Sequence, residues 1–209
     1  MGCDIHLIVE KRRVKEGWFE YYKGRPADRK CETEFRQDVP IETEWWCCLI
    51  TSRNTWSNRQ YGMFAKLANV RNQWDIKPIP IRGLPEDMCF NTFLKYVLMV
   101  VPDSKYDVEN YDTISESMAE EYVKNGYAKE ITFPNIPDGW EHIKFITNEY
   151  HSANWCTSKE LEEAINEIFY IKEVGDYVSS AGEWIALLYY MKGLESAGFE
   201  TRCVFWFDN

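Results

Sequence analysis

The first ten residues constrain the fold more than any other stretch. In Met1-Gly2-Cys3-Asp4-Ile5-His6-Leu7-Ile8-Val9-Glu10, alternation puts Cys3, Ile5, Leu7 and Val9 on one side of a strand and Asp4, His6 and Ile8 on the other. One side is continuously apolar and has to be covered. The other presents a carboxylate and an imidazole two residues apart, close enough to share a ligand. The far end, Arg202-Cys203-Val204-Phe205-Trp206-Phe207-Asp208-Asn209, is as dense in apolar side chains. Chain ends usually fray, so this ending predicts a strand in the middle of a sheet, beside the first.

Between these ends the pattern is mostly helical. A polar turn through Lys15-Glu16-Gly17 leads to Trp18-Phe19-Glu20-Tyr21-Tyr22, a return strand completing an N-terminal hairpin. Residues 24–56 read as an irregular, charged excursion. Ser57 and Gln60 form a capping box before a helix carrying Tyr61, Phe64, Leu67 and Ala68 through about Arg71. A proline-punctuated connection, residues 77–87, follows. Cys89 to Val101 is apolar at helical spacing and predicts one buried helix.

Thr113-Ile114-Ser115-Glu116 is a second capping box, opening a short helix that ends near Gly126. Residues 127–150 suggest two edge strands or loops. Thr157 to Glu160 is a third box, before a stripe of Leu161, Ala164, Ile165, Ile168 and Phe169. Ser180 to Glu183 opens the last helix, whose Trp184, Leu187, Leu188, Met191 and Leu194 face the core before Gly198 stops it. The expected fold is α+β, a central mixed or antiparallel sheet holding both terminal strands and packed with about five helices. One domain covering residues 1–209 is the simplest organisation.

Composition narrows the function classes. At 45% hydrophobic and 16% aromatic residues, the chain has ample core material and is no disordered segment. A net charge of -10 with no basic stripe argues against general nucleic-acid binding, and suits docking onto a basic partner. No apolar run approaches a membrane span and no charged-apolar-small leader opens the chain. The expectation is therefore a cytoplasmic protein without membrane contact. Seven cysteines, an odd number lacking any CxxC pair, then predict reduced thiols rather than a disulfide framework or a zinc site.

Three polar constellations are candidates for chemistry. Asp4 and His6 point two metal-competent groups the same way, as a catalytic divalent ion requires; the alternative is that they hydrogen-bond each other and nearby backbone. Tyr150-His151-Ser152 reads as a loop before the Thr157 cap, where a histidine either binds an anion or shuttles a proton, or simply faces solvent. Arg53, Asn54, Asn58, Arg59, Arg71 and Arg82 offer forks for phosphate or carboxylate, unless they pair with Glu and Asp. Glu86-Asp87 is expected to cap the helix that follows, and Cys3 to lie in the core. No GxSxG, Walker A, GxGxxG, HExxH or EF-hand motif occurs.

Several islands together resemble a family of bacteriophage- and prophage-encoded proteins. They are Met1-Gly2-Cys3-Asp4-Ile5-His6, the run from Arg59 to Asn72, Arg82-Gly83-Leu84-Pro85-Glu86-Asp87, Tyr150-His151-Ser152, and Val204-Phe205-Trp206-Phe207-Asp208-Asn209. Members often carry a second histidine where this chain has Ala153, so the resemblance does not bring a two-histidine metal site to His151. It implies a phage accessory protein working in a bacterial host cytoplasm, and it names no reaction. It also suggests that these islands converge on one pocket.

Two functions follow as expectations. In the first, the protein binds or inhibits as an anti-defence factor, holding a small nucleotide or covering a basic surface of a host protein. In the alternative it is a metal-dependent phosphoesterase or nuclease-like hydrolase. Asp4, His6, His151 and Asp208 would then supply acid-base groups, with Asp4 and His6 as ligands of a divalent metal ion. Arg59, Arg71 and Arg82, with Tyr61 and Ser152, would contact the phosphate-bearing ligand.

Overall fold

The computed structural model describes residues 3–13, 46–51, 60–134, 136–170 and 181–208. Its strands are β1 (Asp4–Arg13), β2 (Trp46–Thr51), β3 (Val97–Val101), β4 (Thr113–Ser115), β5 (Glu130–Ile131), β6 (Phe145–Thr147), β7 (His151–Thr157) and β8 (Phe199–Asp208). The α-helices among these residues are α1 (Tyr61–Ala68), α2 (Phe90–Tyr96), α3 (Glu116–Lys124), α4 (Ser158–Tyr170) and α5 (Ala181–Ser196). None of them is long and apolar enough to cross a membrane.

The two terminal strands do pair, antiparallel, in unbroken register from Asp4 opposite Asp208 to Arg13 opposite Phe199. They are the inner strands of a sheet ordered β2-β1-β8-β7, antiparallel throughout. One face of this pair is apolar along its length, and the other is apolar at its centre, where Ile8, Val204 and Trp206 lie between the polar pairs Asp4–Asp208 and Glu10–Arg202. Cys3, Ile5, Leu7, Val9, Cys203, Phe205 and Phe207 meet α1, α4 and α5 in the main core. Ile8, Val204 and Trp206 pack on the opposite face with Leu84, Tyr96, Tyr150 and Trp155. A second, mixed sheet is ordered β4-β3-β6-β5, with β3 and β4 parallel. The fold is α+β as expected.

Three local readings change. Residues 89–101 are a helix followed by a strand, not one helix, because α2 stops at Tyr96 and β3 begins at Val97. An apolar run carries no periodicity that separates the two, but Val97, Val100 and Val101 favour a strand and Pro102 ends it. Residues 46–51 form β2 inside the stretch expected to be irregular; Trp-Cys-Cys-Leu-Ile-Thr has strand composition. His151 starts β7 rather than standing in a loop. The return strand at 18–22, the rest of the 24–56 excursion, Ser57 and Ser180 lie outside the described residues.

The caps explain most helix boundaries. Thr157 Oγ1 accepts from Glu160 N at 3.2 Å while Glu160 Oε2 accepts from Thr157 N at 3.0 Å, a complete capping box. At α3 the cap is Ser115, whose Oγ accepts from Met118 N at 3.3 Å, not Thr113, which belongs to β4. At α2 it is Cys89, whose Sγ accepts from Thr92 N, so Glu86 and Asp87 do not cap that helix. Helix α1 ends at Ala68, short of Arg71, because Asn69 turns left-handed at φ 60°. Gly126 at φ 74° and Gly198 at φ 90° follow α3 and α5 in the conformation that glycine tolerates best.

Candidate functional site

Asp208 stands opposite Asp4 on the neighbouring strand, and it is this carboxylate that meets His6. His6 Nε2 lies 3.1 Å from Asp208 Oδ2, and Asp4 N donates to Asp208 Oδ1 at 3.3 Å. Both oxygens of Asp208 are thus engaged by β1. The imidazole and the carboxylate remain 22% and 16% exposed, so the pair sits at a surface rather than in the core. The His6 ring stacks on Trp206 at 5.9 Å and tilts against Tyr150 at 4.8 Å. Tyr96 packs edge-on to Trp206 at 5.4 Å, and burial pushes its phenol up from the ordinary value. Trp206 Nε1 is buried with no hydrogen-bond partner.

Of these residues, Tyr150 and Asp208 also line a cleft of about 570 Å³ between the two sheets. Tyr150 and Asp208 come from the β7–β8 end of the first sheet. Tyr106, Tyr111 and Tyr122 come from the segment around β4 and α3, and Glu149 lies beside Tyr150. Leu98, Ile114 and Met118 supply an apolar floor. Among the described residues that line it, none is basic.

The other expected site residues go elsewhere. His151 faces the opposite side of the sheet from His6, with Nε2 4.0 Å from Cys3 Sγ and its ring stacked on Phe207. Its Nδ1 meets Ser152 Oγ at 2.9 Å. A bulge between His151 and Asn154, with Ser152 at φ 53°, sets that direction. The expected pocket of Asp4, His6, His151 and Asp208 is therefore split: the sheet separates His151 from the other three. Among the described residues no three His, Cys, Asp or Glu side chains form a metal-holding group.

The arginines do not converge either. Arg82 forms a two-pronged ion pair with Glu160, donates to Trp155 O at 3.1 Å and lies 4.6 Å over the Trp155 ring. That is a structural clamp on the β7–α4 junction. Arg71 is exposed in the turn after α1, and Tyr61 packs edge-on against Phe64. Neither these residues nor Ser152 line the cleft. Arg53, Asn54, Asn58 and Arg59 lie outside the described residues. Cys3 is in the core as expected, and Cys203 is buried opposite Cys156. Burial and then Cys156 push the Cys203 thiol well up, away from the thiolate a nucleophile requires.

The Arg82 clamp carries a pH prediction. Burial alone would raise the Glu160 carboxyl, but hydrogen bonds and charge from Arg82, with the Thr157 N–H, outweigh it and hold Glu160 below its ordinary 4.5. A carboxyl lowered in the folded state adds stability above its unfolded value and loses that contribution as the pH falls through the folded one. Glu160→Gln keeps the capping box and removes the charge. It is expected to be less stable than the parent at about pH 7, with the gap closing at about pH 3. Urea denaturation at the two pH values checks this, and a constant gap would detach the effect from the carboxylate.

Two features of the structure escape sequence reasoning. One is the set of tyrosines from distant segments that builds the cleft. The other is a set of buried polar side chains elsewhere in the first sheet, Glu10 with Arg202 and the amide of Asn154. A charge of opposite sign on each terminal strand was the available signal for Glu10 and Arg202. Compared with models of protein families, with curated proteins and with solved structures, the chain has no significant match. Fold and site together define an α+β protein with a tyrosine- and carboxylate-lined cleft next to a histidine–aspartate pair.

Proposed function

We propose that this chain is a phage accessory protein of the binding, anti-defence type, acting in the bacterial cytoplasm by covering a basic surface of a host protein. The cleft is the observation that supports this reading. Tyrosine side chains offer large contact area at low cost in conformational entropy, and the carboxylates of Glu149 and Asp208 complement positive charge. The net charge of -10 steers a basic partner toward the protein. Capture from bacterial lysate, by the parent and by Glu149→Lys, tests the proposal. A basic host protein held by the parent at low salt, released by about 0.5 M salt and not retained by the variant, is the expected result. An identical captured set with both proteins sinks it.

A second reading rests on His6 and Asp208 alone. A carboxylate that orients an imidazole serves acid-base chemistry or the outer shell of a metal site, and metal-dependent phosphoester hydrolysis would use it so. Thermal shift with Mn²⁺, Zn²⁺, Mg²⁺ and cyclic or linear nucleotides, on the parent and on Asp4→Ala, separates the readings. A metal-dependent rise in the parent that disappears in the variant favours hydrolysis. No rise with either protein counts against it.

A further inference from the structure

We infer that the cleft between the two sheets is a receptor for a single organic cation, an alkylammonium or a guanidinium group. The inference deepens the binding function proposed above and rests on it. Four tyrosines, Tyr106, Tyr111, Tyr122 and Tyr150, line one cleft of about 570 Å³ together with Glu149 and Asp208. An aromatic face carries negative charge density and attracts a cation held within about 6 Å of the ring centre. Carboxylates at the same cleft add a second, independent preference for positive charge. Each element alone is commonplace, since exposed tyrosines and acidic residues occur on many surfaces. Their coincidence around one concave volume is what selects the ligand.

The same lining disfavours the phosphate of a nucleotide. A phosphate there would face Glu149 and Asp208, and no Lys or Arg among the described lining residues would answer it. A cation on a short alkyl stem satisfies both parts of the cleft, because Leu98, Ile114 and Met118 accept the stem while the charged head stays with the tyrosines and carboxylates. The entrance is accessible, with Tyr111 87% exposed and Glu149 exposed beside it. The cation has two sources, a free polyamine or an Arg or Lys side chain on a partner, and its recognition chemistry is shared.

The experiment is an NMR titration of full-length protein with labelled tyrosine rings. The probes are spermidine and butylguanidinium as free cations, an acetylated arginine tripeptide, its citrulline counterpart, and AMP as an anion. Cationic probes are expected to shift the cleft tyrosines, with the citrulline peptide at least about tenfold weaker than the arginine peptide. Tyr111→Ala and Glu149→Gln are each expected to weaken binding about 2- to 30-fold without moving the melting temperature, because both side chains are exposed. Tighter binding of the free cations points to a small amine, and tighter binding of the peptide points to a partner's side chain. Equal binding of arginine and citrulline peptides, or no effect of either variant, overturns the inference. Shifts caused by AMP alone would overturn the cation assignment and leave a binding cleft standing. No shift with any probe removes the cleft from both proposals.

Discussion

Replacing Arg202 with methionine is expected to lower the unfolding free energy by about 3–5 kcal/mol, the cost of breaking a buried ion pair from one side. Arg202 and Glu10 face each other across β1 and β8 with side chains only 4% and 0% exposed. One Glu10 oxygen receives both Nε and Nη2 of Arg202 at 2.7 Å, and the other accepts from Cys89 N at 2.8 Å and from the Thr92 hydroxyl. Methionine matches the arginine stem but leaves the carboxylate buried with half its partners.

The remaining Arg202 donors reach Asp87, with Nη1 2.6 Å from Oδ1 and Nη2 3.0 Å from the backbone oxygen. Asp87 is 60% exposed, so Asp87→Asn is expected to cost less than about 1 kcal/mol. The double variant Glu10→Leu/Arg202→Met removes both charges and is expected to recover only part of the loss, because Cys89 N and the Thr92 hydroxyl then lose their acceptor. Urea denaturation read as a shift in midpoint at constant slope measures all three. An Arg202→Met variant within 1 kcal/mol of the parent, about fivefold in the folding equilibrium, would contradict the buried-pair account.

The pairing of the chain ends is legible in the sequence because two independent signals agree there. Alternation gives the first strand a covered face, and the aromatic density of the last requires burial on both sides. The capping box at Thr157 and the stripe on α4 are legible for the same reason, each joining local hydrogen bonding to periodicity. Where only one signal exists the reading fails. In residues 89–101 the helical spacing of apolar residues runs on past Tyr96 into Val97, Leu98 and Val101, so periodicity cannot find the change from helix to strand at Val97. The site was half legible. Asp4, His6 and Asp208 come together because strand register brings them together. His151 leaves the group through a one-residue bulge, which moves a side chain to the other face without any mark in composition. The cleft is illegible because Tyr106, Tyr111, Tyr122 and Tyr150 are scattered through a stretch whose evident property is acidity.

The second large effect is expected at Asn154, two residues beyond the Tyr150-His151-Ser152 segment that reads as a loop. It is fully buried on the helix-covered side of β7 and is hydrogen-bonded on both sides of its amide. Nδ2 donates to Leu67 O at 2.9 Å and to Pro80 O at 3.1 Å, and Oδ1 accepts from Arg82 N at 2.9 Å. One side chain therefore satisfies the last turn of α1 and the proline-rich connection, which has no ladder to supply these bonds. Asn154→Leu keeps the volume and strips the bonds, leaving two carbonyls and one N–H to find other partners. At about 1–3 kcal/mol for each group that stays buried and unsatisfied, a loss of about 3 kcal/mol is expected, with some compensation where the connection lifts toward water. Hydrogen exchange locates the damage: protection is expected to fall first at Ile79 N, which bonds Lys66 O beside this junction, while the β1–β8 amides keep theirs until global unfolding. If Asn154→Leu instead loosened the terminal strands together with the junction, the amide would be part of the cooperative core rather than a local clamp. Asn154→Asp sharpens the test, since it keeps an acceptor for Arg82 N, retains one donor while protonated and loses both donors once ionised. Its stability is expected to fall between those of the parent and the leucine variant at about pH 3, where the carboxyl is largely protonated, and to drop toward the leucine value at about pH 7 as the buried group ionises.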